Sequence, residues 1–324
     1  MNGVRFDPLA VVWASQCPSL PGVTGTVTGG VRAPRRARAA AFVALTKPRI
    51  IELLLVTTVP SMILAAQGLP SLWLIAATVV GGALAAGGAN ALNMYVDRDI
   101  DRLMHRTRNR PLVTGAVRPT EAVVFAVALT VGSFVWLWAF VNLLSAVLAT
   151  AAAAFYVFVY SLWLKRTSIR NIVIGGAAGA VPTLVGWTAV TGSLDWPPVV
   201  LFAVIFYWTP PHFWALAIRY RSDYQAAEIP MLPAVAGLRA TARRIVAYTV
   251  VLVASSLLLV PVAQMGALYL VVAVVSGAGF GGLALDVLRR PDPTRSIRLF
   301  GWSNAYVMIL FGAVAADVLI RNGL

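Results

Sequence analysis

The residues best suited to chemistry lie in one stretch, Asn90-Ala-Leu-Asn-Met-Tyr-Val-Asp-Arg-Asp-Ile-Asp-Arg-Leu-Met-His-Arg-Thr-Arg-Asn-Arg-Pro111. The chain has only 12 acidic residues, and Asp97, Asp99 and Asp101 fall together here among five arginines (Arg98, Arg102, Arg106, Arg108 and Arg110). On a helix, Asn93, Asp97 and Asp101 are spaced four apart, each about 40° round from the last, and stack along one face over roughly 12 Å. Asp99 points to the other side. Oxygen-bearing side chains in that order suit a hard divalent cation that keeps some water and shares its shell with a phosphate. Arginines beside them add the forks and charge that recognise a diphosphate. A plain charged loop is the competing reading, and the four-residue spacing favours metal–diphosphate binding over it.

A second polar cluster is Tyr207-Trp-Thr-Pro-Pro-His-Phe-Trp214, followed by Arg219-Tyr-Arg-Ser-Asp-Tyr224 and Glu228-Ile-Pro-Met-Leu-Pro233. Pro210-Pro211 predicts a break in the cytoplasmic half of a membrane helix. His212 follows the break with Trp208, Phe213 and Trp214 around it, a setting for a large flat aromatic ligand; a satisfied core histidine is the plainer alternative. Asp223 supplies a further carboxylate for metal. Glu52 is expected just inside the membrane, where a carboxylate is either functional or paired with Lys47 or Arg49 at the interface.

These residues must be held by a membrane bundle. The chain has 324 residues, is 59% hydrophobic and has a mean hydropathy of +0.80. Apolar runs long enough to cross a bilayer recur at about 50–67, 71–95, 120–141, 143–164, 171–191, 197–217, 245–264, 266–287 and 300–320. The fold class expected is all-α: a polytopic membrane protein of nine transmembrane helices, one domain over residues 45–324. Residues 1–44 read as a disordered, basic cytoplasmic tail touching anionic lipid, without the apolar core of a signal peptide. Of the 26 Lys and Arg residues, 25 fall in alternate loops on one side. That bias, with an odd number of spans, puts the N-terminus in the cytoplasm and the C-terminus outside the cell membrane. The net charge of +14 therefore belongs to membrane topology, and no nucleic-acid partner is expected. One cysteine, Cys17, and two histidines, His105 and His212, exclude a disulfide framework or a His-rich metal centre. The glycine runs Gly81–Gly88 and Gly175–Gly179 lack a GK[ST] ending and read as close helix packing.

Asn93-x-x-x-Asp97-x-x-x-Asp101 resembles the first aspartate-rich motif of the UbiA superfamily of intramembrane prenyltransferases. The haem-modifying branch of that superfamily is similar in Leu45-Thr-Lys-Pro-Arg49, Tyr95–Arg102, Arg106–Leu112, Trp163–Arg166, Asn171–Gly179, Trp208–Trp214 and Asp223–Pro233, and the likeness runs over about residues 44–320. Ala227 stands where the wider superfamily has a second aspartate four residues after Asp223, a departure shared by that branch.

The resemblance implies nine helices around a central cavity, farnesyl diphosphate as donor and haem B as acceptor, giving haem O. It implies Mg²⁺ held by Asn93, Asp97 and Asp101, with Asp223 anchoring a second ion. Arg102, Arg106, Arg110, Lys165 and Arg166 are then expected on phosphate oxygens, and His212, Trp208 and Trp214 around the haem. Association with a haem A synthase or with terminal-oxidase assembly is a further expectation. A sister prenyltransferase acting on an aromatic acid or a chlorophyll-type acceptor, and a secondary transporter built on a discontinuous helix at Pro210-Pro211, are the alternatives.

Overall fold

A computed structural model describes residues 35–323, apart from the side chains of Arg35 and of residues 49–55. Cys17 and the tail before residue 35 lie outside the described residues, as does the side chain of Glu52. Among the described residues every element is helical.

A short helix α1 (Arg35–Thr46) leads into α2 (Pro48–Ala66) and α3 (Leu72–Val96), and a one-residue turn at Asp97 joins α3 to α4 (Arg98–Leu103). Then come α5 (Pro119–Phe140), α6 (Leu143–Thr167), α7 (Asn171–Thr191) and α8 (Trp196–Arg219). Two small helices, α9 (Arg221–Ala226) and α10 (Leu232–Val235), precede α11 (Gly237–Ala263), α12 (Ala267–Arg289) and α13 (Pro293–Arg321). Eight of these are long and apolar enough to cross a membrane, and α2, with its apolar part at Val56–Ala66, makes the ninth long helix. The nine fall where the apolar runs predict them. The lipid-facing side stays apolar, with Val131, Trp138, Phe158 and Val275 exposed, because in a bilayer the outward face needs no polar cover.

Each long helix packs on the next, and the last returns to the first, closing a ring α2–α3–α5–α6–α7–α8–α11–α12–α13–α2. The ring is drawn in where α2 meets α7 and α8 meets α13. At the first crossing Gly186 lies directly under the α2 backbone, Ser61 Oγ donates to Thr183 O at 2.6 Å, and an added Cβ would overlap the Thr58 carbonyl oxygen. A main-chain oxygen cannot swing aside. Gly186→Ala is therefore expected to destabilise the bundle by about 1–3 kcal/mol, read as a lower thermal midpoint of the detergent-purified protein.

Three local features depart from the sequence reading. Helix α1 begins at Arg35, inside the span expected to be disordered; it packs on α3 and reaches α5, where Phe42 is edge-on to Phe125 and Arg38 pairs with Glu121 at 2.7 Å. Helix α8 runs unbroken through Pro210-Pro211. Two missing N–H groups do not stop it, since helix α8 is packed between α7, α11 and α13 and both prolines are buried among them. The transporter alternative loses its discontinuous helix. Finally, α6 winds as a π-helix over Phe155–Leu164, a turn concentrated at functional sites.

One buried carboxylate far along the chain is structural. Asp317 accepts the Gly266 and Tyr269 N–H groups at 2.7 and 3.2 Å, capping α12, and pairs with Arg321 at 3.0 Å.

Candidate active site

The polar side chains collect at one end of the ring, where α2 begins, α3 and α6 end, and α4 turns away. The helical spacing carries through the turn at Asp97: its N–H bonds Asn93 O, and Asp101 N–H bonds Asp97 O, both at 2.9 Å. Asn93, Asp97 and Asp101 consequently share one inward face, at 3%, 0% and 1% exposure. Asp99 faces outward, as its offset predicts, and its side chain is 60% exposed.

Each of the three inward residues meets a cation from a different part of the chain. Lys47 Nζ donates to Asn93 Oδ1 at 2.8 Å, Lys165 Nζ to Asp97 Oδ2 at 2.5 Å, and Arg110 to Asp101 Oδ2 at 2.6 Å. Lys47 reaches in because it is the left-handed residue (φ 53°) between α1 and α2, with Pro48 starting the next helix. Lys165 comes from the end of the π-turned segment of α6, and Arg110 from the loop after α4, where the Thr107 hydroxyl bonds Asp101 O at 3.0 Å. The Asn93 amide is fully committed: Nδ2 donates to Asp97 Oδ2 at 2.9 Å and to Ser161 Oγ at 2.8 Å. Ser161 in turn donates to Tyr156 O, five residues back, a reach that the π turn provides. Tyr156 and Tyr160 stack on the same segment, centroids 5.4 Å apart.

The remaining cations sit further out. Arg166 grips Asp99 with two hydrogen bonds, 2.7 and 2.6 Å, and holds that carboxyl down at about 2. The pair is intact above the ordinary carboxylate range and is lost only as pH falls towards 2. Arg106 is exposed, with its guanidinium 5.8 Å from the Tyr220 ring centroid, and Arg102 is exposed on α4. Asp223, on α9, accepts the Arg106 backbone N–H at 3.4 Å, tying the loop after α4 to the segment after α8. A cleft of about 440 Å³ opens between these two segments, lined by Ile100, Leu103, Arg166, Glu228 and Ile229 among others.

The aromatic cluster on α8 divides. Trp208 and His212 lie one turn apart and stack, centroids 4.2 Å apart, and both face α13: Trp208 Nε1 donates to Ser303 O at 2.7 Å, and His212 Nδ1 lies 2.7 Å from Ser303 Oγ. Phe300 covers the imidazole at 4.5 Å. Trp214 turns instead to α11, edge-on to Tyr248 at 5.3 Å and 1% exposed.

A divalent cation fits the inward face on two counts. Asp97 Oδ1 is buried without a hydrogen-bond partner among the described residues, and the available donors are hard oxygens. Among the described residues no three His, Cys, Asp or Glu side chains converge on one point. The protein thus offers few ligands, the arrangement in which Mg²⁺ keeps water and borrows phosphate oxygens. Lys47, Ser161 and the tyrosine pair are site residues that the sequence reading did not assign. For Lys47 the signal was there, in Thr46-Lys-Pro48 at the mouth of the first span.

Comparison with known proteins places this architecture. A model described as "UbiA prenyltransferase family" matches residues 54–310. A protoheme IX farnesyltransferase of Frankia alni is 55% identical over 88% of this chain and 99% of its own length. One from Streptomyces coelicolor is 50% identical over 99% of this chain and 100% of its own. Among solved structures, an apo UbiA homolog from Aeropyrum pernix aligns with TM-score 0.66 at 22% identity, covering 83% of this chain and 99% of that one. A UbiA homolog from Archaeoglobus fulgidus bound to GPP and Mg²⁺ aligns with TM-score 0.55 at 15% identity, covering 85% of this chain and 99% of that one. These last two share the fold; the family match and the two bacterial relatives carry the assignment, and this chain belongs to the UbiA prenyltransferase family.

Proposed function

We propose that this membrane enzyme transfers the farnesyl group of farnesyl diphosphate to a vinyl group of haem B (protoheme IX), giving haem O. The observation that carries the reading is the buried Asn93–Asp97–Asp101 face with Lys47, Lys165 and Arg110 against it, in a chain half identical to proteins named for that reaction over nearly their full length.

The difficult step is breaking an allylic C–O bond, and diphosphate leaves when its growing charge is met. Asn93, Asp97 and Asp101 would hold Mg²⁺, and Asp223 would anchor a second ion. Bound there, Mg²⁺ neutralises charge on the departing oxygens. Lys47, Lys165 and Arg110 serve twice. Before substrate enters, Lys165 and Arg110 pair with the buried carboxylates and Lys47 with the Asn93 amide oxygen; with diphosphate in place all three release those oxygens and bind phosphate oxygens. Arg102 and Arg106 add charge at the mouth, and Arg166, tied to Asp99, is the outermost phosphate contact. Ser161 fixes the Asn93 amide so that its oxygen faces the cationic side. The apolar helices exclude water, so that the allylic cation lasts until the electron-rich vinyl carbon attacks it; water then supplies the hydroxyl of the product. Trp208 and His212 seat the porphyrin from the α8–α13 side, with Trp214 packed behind them.

The bias of Lys and Arg to alternate loops supports an orientation with this end of the bundle and the N-terminus on the cytoplasmic side and the C-terminus outside. Haem O then leaves into the membrane towards a haem A synthase or terminal oxidase.

The test supplies the purified protein with haem B, farnesyl diphosphate and Mg²⁺ and weighs the product. A farnesyl-bearing haem plus water is expected. A prenylated 4-hydroxybenzoate, with haem untouched, would move the protein to the sister branch. In the same assay Asp99→Asn is expected to leave turnover nearly unchanged, since it breaks only an exposed ion pair worth less than about 1 kcal/mol.

A further inference from the structure

Ser303 is the point where the buried aromatic stack on α8 is tied to α13, and its hydrogen bonds can be counted. Its hydroxyl has one proton and two lone pairs. That proton goes to the Phe300 carbonyl one turn back, at 2.6 Å, and a carbonyl can only accept. The 2.7 Å contact to His212 Nδ1 must then run the other way, with Nδ1–H donating to Ser303 Oγ. A neutral imidazole with its proton on Nδ1 has a bare lone pair on Nε2. Nε2 receives no hydrogen bond among the described residues, and it is not one of the sealed-off polar atoms. The ring cannot turn over to exchange its nitrogens. Trp208 and Phe300 clamp its faces at 4.2 and 4.5 Å, and Phe213 stands edge-on at 5.1 Å. The Trp208 Nε1 bond to Ser303 O keeps the two helices in register independently of the serine side chain.

We propose that Ser303 is a positioning residue that fixes His212 as the Nδ1–H tautomer, so that Nε2 is offered as the axial ligand to the iron of the porphyrin substrate. This rests on the reading of haem as acceptor. It goes further in naming the ligating atom and the residue that prepares it. A hydrogen bond from the metal-distal nitrogen to a fixed acceptor is how proteins orient a ligating imidazole.

The full-length protein in detergent is titrated with haem B and followed by the Soret band and by the EPR spectrum of its ferrous nitrosyl adduct, where a coordinated imidazole adds nitrogen hyperfine structure. The wild type should show that structure, and His212→Ala should lose it and regain a nitrogen-ligated spectrum with added imidazole. Ser303→Ala, which spares the Trp208 bond to the main chain, should weaken haem binding about tenfold and broaden the spectrum into a mixture. Ser303→Thr, which restores the hydroxyl, should recover both. A wild-type spectrum in His212→Ala would remove His212 as ligand, and unchanged affinity and spectrum in Ser303→Ala would remove the positioning role. Haem O still detected by mass in either case would leave the proposed reaction standing; no haem binding and no haem O would overturn both.

Discussion

Asp97→Asn should reduce farnesyl transfer by about three orders of magnitude, on the scale of losing a preorganised charge at a departing group, while the protein still inserts and purifies as a single species. The substitution keeps the side chain's shape, so packing in this fully buried position survives. What it removes is the charge that partners Lys165 and the oxygen that Oδ1 leaves open. Both kcat and the metal requirement should suffer, because the same carboxylate would hold the ion and set the lysine. A variant with near-normal turnover would show that the buried face is only structural.

Lys165→Met carries the second large effect, and it acts on stability and chemistry together. In the empty site it strands Asp97 in a buried position, and breaking a buried pair from one side costs about 3–5 kcal/mol. A lower thermal midpoint is the expected readout. That penalty also leaves a carboxylate without its resident cation, so Mn²⁺, followed by EPR as a substitute for Mg²⁺, should bind this variant more tightly than the wild type when no diphosphate is present. With farnesyl diphosphate the order reverses, and turnover should fall about 100-fold or more. Tighter metal binding with slower chemistry separates a dual-purpose lysine from a simple structural one. If metal affinity without substrate is unchanged, Lys165 does not guard the site.

Much of this was legible in the sequence because the physics involved is local. Apolar length finds the helices, and a four-residue spacing puts Asn93, Asp97 and Asp101 on one face and Asp99 on the other, as their burial bears out. The double proline was misleading, since a lone helix would break there and a packed membrane helix need not. The partners of the aspartates were harder to see. Lys47 stands 46 residues from Asn93, and Lys165 is 68 from Asp97. Ser161 reaches Asn93 from a segment whose π winding no 3.6-residue period reveals. Trp214 looked like part of one aromatic group with Trp208 and His212, but two residues along a helix turn it to the opposite neighbour.

The most direct measurement is a structure of the full chain soaked with Mn²⁺ and a non-cleavable farnesyl thiodiphosphate, with the manganese located by its anomalous scattering. Manganese should be bound to the Asp97 and Asp101 carboxylates and to diphosphate oxygens, with Lys165 and Arg110 moved from the carboxylates to the phosphates. Manganese and diphosphate found elsewhere, with the Lys165–Asp97 and Arg110–Asp101 pairs still closed, would contradict it.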